Sequence, residues 1–253
     1  MRLDLALVER GLVRSRNQAA RLIESGDVRL NGREALKPSL DVAETDSIEV
    51  TRSEYVARSA HKLLHALDKF EIDVPSACLD IGASTGGFTQ VLLERGAHRV
   101  VALDVGTDQL ANELKLDHRV IELSGVNIRD FPPSQLPISS SEIELVVVDL
   151  SFISLRLVAR SILDCGPRAE FVFLIKPQFE VQKADLNKQG VLISETRRLQ
   201  ALRDSLSALS EAGFTLKGLS VSPLLGSAGN IEYLAHLVPG RAADIERFIA
   251  ELD

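Results

Sequence analysis

The chain has no tryptophan, and aromatic residues make up only 4% of its 253 positions, so any core must be aliphatic. It has two cysteines, Cys78 and Cys165, each among apolar neighbours. That is the pattern of reduced buried thiols, and it excludes a disulfide framework. No apolar run approaches the roughly 18 residues needed to span a bilayer. Met1-Arg2-Leu3-Asp4 lacks the order of charge, apolar block and small residues that marks a secretory signal. Internal repeats and low-complexity segments are also absent. These absences point to a cytoplasmic globular protein. What is present agrees: 45% hydrophobic and 26% charged residues, in a length that suits a small module plus one core domain.

Positive charge is scarce overall, with a net charge of −7. Taken alone, that argues against a nucleic-acid partner. Its distribution weakens the argument, because Met1 to Lys37 holds eight Lys/Arg against five Asp/Glu. Screening confines each charge to roughly 8–10 Å, so a local basic face can bind phosphate on an acidic protein.

The first fifty residues read as one compact unit. Leu3, Leu5, Leu7 and Val8 predict a short helix ending near Gly11. Ser15 to Gln18 fits a capping box for a second helix, with Gly26 as its left-handed terminus. Val28-Arg29-Leu30 alternates like a strand, Asn31-Gly32 is a strong hairpin signal, and Ser47 to Val50 reads as a closing strand.

Beyond Ala57, strands alternate with helices. A helix over 58–70 precedes strands at 77–81, 100–104, 120–123, 145–149 and 171–175. A helix over 88–95 and a long one over 195–212 are interleaved, and strands near 214–221 and 231–237 precede a last helix from Ala242. Short β-rich runs separated by helices indicate a parallel sheet covered on both faces. The last two strands have no helix between them, so they should form an antiparallel hairpin at one edge. Residues 132–142, rich in Pro and Ser, read as a surface loop.

The turn after the first buried strand is Asp80-Ile81-Gly82-Ala83-Ser84-Thr85-Gly86-Gly87-Phe88. Ligands of open α/β sheets bind beyond the carboxyl ends of strands, where the backbone must approach them closely. The spacing matches neither the dinucleotide nor the phosphate-loop fingerprint. Asp104 ends the second strand, where a carboxylate can accept both hydroxyls of a ribose. Asp149 closes the fourth strand and Lys176 follows the fifth. If the last strand runs antiparallel, its beginning brings Glu232 to the same edge, and Lys62 can reach there from the helix before the first strand. Two amines and two acids then meet beside the loop. A ribose 2′-hydroxyl is a poor nucleophile whose proton must be removed, and a neutral lysine can remove it.

The segments DIGASTGGFT (80–89), ALDVG (102–106), DLSFISL (149–155), LIKPQFE (174–180) and GNIEYL (229–234) resemble the TlyA, or haemolysin A, family of ribosomal RNA 2′-O-methyltransferases. The N-terminal part, from Arg2-Leu3-Asp4 through Asn31-Gly32, is similar to the S4 RNA-binding domain. The resemblance implies an α/β fold: a Rossmann-like, FtsJ-type methyltransferase sheet with helices on both faces, preceded by a small α+β S4 domain. The expected boundaries are 1–52 for S4, 53–57 for a linker and 58–253 for catalysis. It implies S-adenosylmethionine (SAM) as cofactor and ribosomal RNA or ribosomal subunits as partner, with cytidines of both subunits as the family's usual targets.

The family's Lys-Asp-Lys-Glu tetrad falls on Lys62, Asp149, Lys176 and Glu232, with Lys176 favoured as base. The cofactor set is Asp80, Gly82, Ser84, Gly86, Gly87, Phe88, Asp104, Val105, Asn127, Asp149 and Leu150. Arg14, Arg16 and Arg21, together with Lys183 and Lys188 in a segment that reads equally as a lid or a mobile loop, are the RNA candidates. Arg58-Ser59-Ala60-His61 departs from the family's R-G-A or R-G-G run before the first lysine. His61 and His65 lie four apart on a helix, but no third ligand is spaced to complete a metal site.

Three other classes compete. A membrane-active haemolysin would need an amphipathic or spanning segment. An RNA-binding assembly factor would have the fold without turnover. A base methyltransferase usually carries Asn-Pro-Pro-Tyr or a cysteine nucleophile, neither of which is seen in the sequence.

Overall fold

The structure is a computed structural model. Residues 14, 25, 36, 52–54, 227, 241–243 and 253, and the side chains of Arg21 and Glu24, lie outside the described residues. The expectations placed on Arg14, on the Arg21 side chain and on a helix start at Ala242 therefore fall outside them. The chain divides into two compact units, Met1–Ala60 and His61–Asp253.

In the first unit, helices α1 (Leu3–Glu9) and α2 (Arg16–Glu24) pack with strands β1 (Val28–Leu30), β2 (Arg33–Glu34) and β3 (Ile48–Val50), ordered β2-β1-β3. Ser15 Oγ accepts from Gln18 N at 3.2 Å, which caps α2. Asn31 and Gly32 both adopt positive φ between Leu30 and its partner Arg33, so they form a two-residue hairpin turn. The core is aliphatic: Leu3, Ala6, Leu7, Val13, Ala19, Ile23, Val28, Ala35 and Val42. Leu5, expected with the apolar face of α1, points outward and is 36% exposed.

The second unit opens with α3 (Ala60–Lys69), β4 (Ala77–Ile81), α4 (Gly87–Glu94), β5 (Arg99–Asp104), α5 (Asn112–Lys115) and β6 (Val120–Ser124). It continues with β7 (Leu145–Val148), α6 (Ala159–Cys165), β8 (Glu170–Ile175), α7 (Glu195–Ala212), β9 (Phe214–Val221), β10 (Tyr233–Pro239) and α8 (Ile245–Ala250). Seven strands form one sheet in the order β6-β5-β4-β7-β8-β10-β9. Every pairing is parallel except those of β10, which runs antiparallel to both β8 and β9. The expected edge hairpin is present, with its second strand tucked inside.

Strand order reverses at β4, whose neighbours are β5 on one side and β7 on the other. A crevice opens at such a switch point beyond the carboxyl ends of the strands. Apolar side chains from β4, β5, β7, β8 and β10 form the core, closed by Phe171, Phe173 and Phe214 in edge-on contact. The 132–142 segment departs from a plain surface loop, since Leu136 and Ile138 are buried against this core.

Candidate active site

The glycine loop is shaped by what it must pass. Gly82 has φ +87°, and a Cβ there would collide with the main-chain carbonyl of Asp149. Only glycine allows the β4 turn to lie against the end of β7 in this way. Gly86, at φ +98°, leads into α4 against Leu110 and Leu114, and Gly87 and Phe88 are buried in that helix's first turn. Ser84 takes a left-handed conformation at φ +48°, and its N–H donates to Asp104 Oδ2 at 2.8 Å. The other Asp104 oxygen accepts from Gly106 N at 2.7 Å. A carboxylate oxygen has two lone pairs, so both oxygens can still accept a ribose hydroxyl.

Asp80 sits beneath the loop and is fully buried. Its Oδ2 accepts from Thr89 Oγ1 at 2.6 Å. Burial pushes its carboxyl up to about 7, against the opposing hydrogen bond from Thr89 and with the help of nearby Asp149.

A cavity of about 530 Å³ opens beside this loop, lined among others by Gly82, Ser84, Asp104, Val105, Asn127 and Asp149. Leu150, Phe152 and Ile153 complete an apolar wall. The volume falls in the range of small-molecule sites. Val105 lines the cavity and is 70% exposed. Asn127 lines the cavity and also caps a short turn, accepting from Arg129 N at 3.1 Å. The glycine cradle, the twin-acceptor carboxylate and the apolar wall fit an adenosine-bearing cofactor.

The four residues expected to act together form two ion pairs. Lys176 Nζ lies 2.6 Å from Asp149 Oδ1 and donates to Ser151 Oγ at 2.8 Å. Lys62 Nζ lies 2.6 Å from Glu232 Oε2, in a pair almost wholly shielded from solvent. Tyr233 pairs with Ile175 across β10 and β8, so Glu232 and Lys176 stand just beyond the end of one ladder. Glu232 precedes β10 instead of lying within it, because the strand begins two residues later than its β-branched Ile231 suggests.

Several neighbours carry no signal that sequence reasoning detects. Glu180 bonds Ser154 Oγ at 2.6 Å and Leu155 N at 2.8 Å, tying together the turns that follow β7 and β8. Phe152, at φ +64°, is 91% exposed, and its ring lies beside that of Phe179 with centroids 4.9 Å apart. Both aromatics belong to the motifs quoted above, but nothing in residue type alone singles them out.

The remaining candidates lie elsewhere. Lys183 and Lys188 are exposed in a segment anchored at its end by Asn230, which bonds Gly190 O at 3.0 Å and Leu192 N at 2.9 Å. Arg16 donates to buried Asp4 at 2.9 Å, as does Arg2 at 3.0 Å. The Arg2 guanidinium, with that of Arg16, holds the Asp4 carboxyl down to about 2. His65 contacts Ser220 Oγ at 3.2 Å. Among the described residues, no group of three or more His, Cys, Asp or Glu is placed to hold a metal, and no helix is long and apolar enough to cross a membrane.

A switch-point cavity beside an acid-ended strand defines a Rossmann-like fold of the kind that holds nucleoside cofactors. Comparison with known proteins makes this specific. The FtsJ-like methyltransferase family matches residues 55–238, and the S4 domain family matches residues 1–48. The chain is 46% identical to the 16S/23S rRNA (cytidine-2′-O)-methyltransferase TlyA of Mycobacterium tuberculosis, over 93% of this chain and 89% of that one. It is 36% identical to the 23S rRNA (cytidine-2′-O)-methyltransferase TlyA of Campylobacter jejuni, over 94% and 99% respectively. Among solved structures, a provisionally named hemolysin of Streptococcus thermophilus superposes with a TM-score of 0.76 at 33% identity, covering 99% of this chain and 94% of that one. The chain belongs to the TlyA family of S4-bearing, FtsJ-like methyltransferases.

Proposed function

We propose that this protein transfers a methyl group from SAM to the ribose 2′-hydroxyl of cytidine in ribosomal RNA, of the small subunit, the large subunit or both. The observation that supports this reading is the pair of Lys–carboxylate contacts, Lys176–Asp149 and Lys62–Glu232, with Asp149 also lining the cavity and Glu232 preceding the strand that pairs with the one Lys176 follows. Asp104 would hold the cofactor's ribose, Val105 and Asn127 its base, and the turn from Gly82 to Gly87 its methionine end, with Asp80, Phe88 and Leu150 supporting that turn from beneath and beside. When bound, SAM supplies an electrophilic methyl on a sulfonium.

Lys176, in its neutral form, would take the proton from the 2′-hydroxyl as that oxygen attacks the methyl group the cofactor would supply. The proton then rests on Nζ until water removes it. Asp149 and Ser151 fix the amine in line, which counts because misplacement of a reacting group by about 1 Å can cost about 100-fold in rate. Lys62, held by Glu232, offers a second cationic donor at the same edge.

Residues 1–52 would grip RNA through Arg14, Arg16 and Arg21. Residues 53–57 would link that unit to the catalytic one at 58–253, where Lys183 and Lys188 add phosphate contacts. The site of action is the cytoplasm, where ribosomes are assembled. The test is to incubate purified protein with labelled SAM and ribosomal RNA or subunits, then digest the product to nucleosides. The expected product is 2′-O-methylcytidine. A methyl on the base would overturn the mechanism, and no transfer at all would favour an assembly factor.

A further inference from the structure

Glu232 is buried, 3% exposed, and its two oxygens are held by different side chains. Oε2 takes the Lys62 ammonium at 2.6 Å. Oε1 accepts from Gln178 Nε2 at 3.0 Å. Gln178 is itself buried, 9% exposed, in the short turn Pro177–Phe179 that directly follows Lys176. Gly226 closes the third side, where a Cβ would collide with Glu232 Oε1. The carboxylate therefore has one orientation, and Gln178 is the group that ties it to the Lys176 turn.

We propose that Gln178 is a positioning residue for methyl transfer, acting through Glu232 as a fifth member of the tetrad. This rests on the ribose-methylation reading above. A buried carboxylate oxygen without a donor is costly, and a single partner on Oε2 leaves the group free to rotate about its last bond. The Gln178 amide supplies that donor and holds the Lys62–Glu232 pair in register with Lys176, two residues earlier in the chain. The polarity of the amide is set by the pair itself, because turning its oxygen toward Glu232 would place two acceptors face to face.

The experiment compares wild type, Gln178→Met, Glu232→Gln and the double variant. Methionine keeps the length of the side chain and loses the donor. Binding of SAM and the melting temperature show that each protein is folded. We expect Gln178→Met to lower kcat by about 10–100-fold, with KM for SAM and for RNA within about threefold of wild type, because only groups aligned in the transition state are disturbed. In the Glu232→Gln background the same change should cost almost nothing further, since residues acting as a unit are not additive.

Wild-type kcat in Gln178→Met overturns the proposal, as does a full additional loss in the double variant. Gln178→Asn, one methylene shorter, serves if methionine destabilises the core, and its kcat should fall in the same way. A wild-type protein that transfers no methyl overturns the functional reading, and this role with it. An active wild type with an indifferent Gln178 overturns this role alone.

Discussion

The turn that follows β4 and the edge formed by β7, β8 and β10 are built by opposite means. Between β4 and β5 the chain uses backbone: Gly82 pressed against a carbonyl, Ser84 and Gly86 in left-handed turns, and amides of Ser84 and Gly106 on one carboxylate. Its parts come from 27 consecutive residues, 80–106, and need only a strand, a turn, the next strand and the two residues after it. At the edge formed by β7, β8 and β10 the site uses side chains. Lys62 and Glu232 stand 170 residues apart in the chain and are buried as an ion pair. On the proposed reading, the backbone cradle would recognise a nucleoside shape, whereas the side-chain ion pairs would place a proton acceptor. The first should govern affinity and the second rate.

The contrast breaks most visibly at Lys176. Lys176→Ala should lower the rate of methyl transfer by about 10²–10⁴-fold, the usual worth of a general base, while SAM affinity measured by calorimetry stays within about threefold. Equal loss of rate and SAM affinity would mean that the two sides are one unit. Asp104→Ala sharpens the other half. It removes a charged acceptor worth about 1.5–3 kcal/mol, so the Kd for SAM should rise about 10–100-fold, with kcat largely recovered at saturating SAM.

Asp80, beneath the cradle, offers a stability test. Its native pKa of about 7 stands above the ordinary value of 3.8, so the folded state holds this proton more tightly than the unfolded chain. The sign follows: its contribution is greatest below pH 4 and declines as pH rises through 7. Between pH 5.5 and 8.5 the wild type should lose about 2 kcal/mol relative to Asp80→Asn in urea unfolding. Parallel pH profiles for the two proteins would contradict this.

The smallest effect belongs to the N-terminal unit. Asp4 is shared by Arg2 and Arg16, which leaves one positive charge uncompensated. Arg16→Ala should weaken RNA binding several-fold and reduce the slope of log K against log salt by about 0.7–0.9, as for one lost phosphate contact. An unchanged slope would remove Arg16 from the interface.

What could be read beforehand follows the same division. Gly82 and Asp104 announced themselves because glycine spacing and a strand-ending acid are local signals. Asp149 and Lys176 followed from strand ends, and Glu232 needed the further step that β10 reverses direction. Helix α5 escaped because four residues are too few to establish a period. Leu136 and Ile138 were hidden in a Pro- and Ser-rich stretch whose composition resembles solvent-exposed loop. Gln178 could not be read at all, since an amide in a turn is ordinary until its partner is known to be a buried carboxylate. Arg16 was noted for its charge, but its hold on Asp4 spans twelve residues and leaves no sequence pattern.

The central claim is that the group activated at this edge is a ribose 2′-hydroxyl. Once the modified cytidine is mapped, an RNA carrying 2′-deoxycytidine at that one position tests the claim most directly. The deoxy RNA should accept no methyl while the unmodified RNA is methylated under the same conditions. Methyl uptake at the deoxy position would contradict the account.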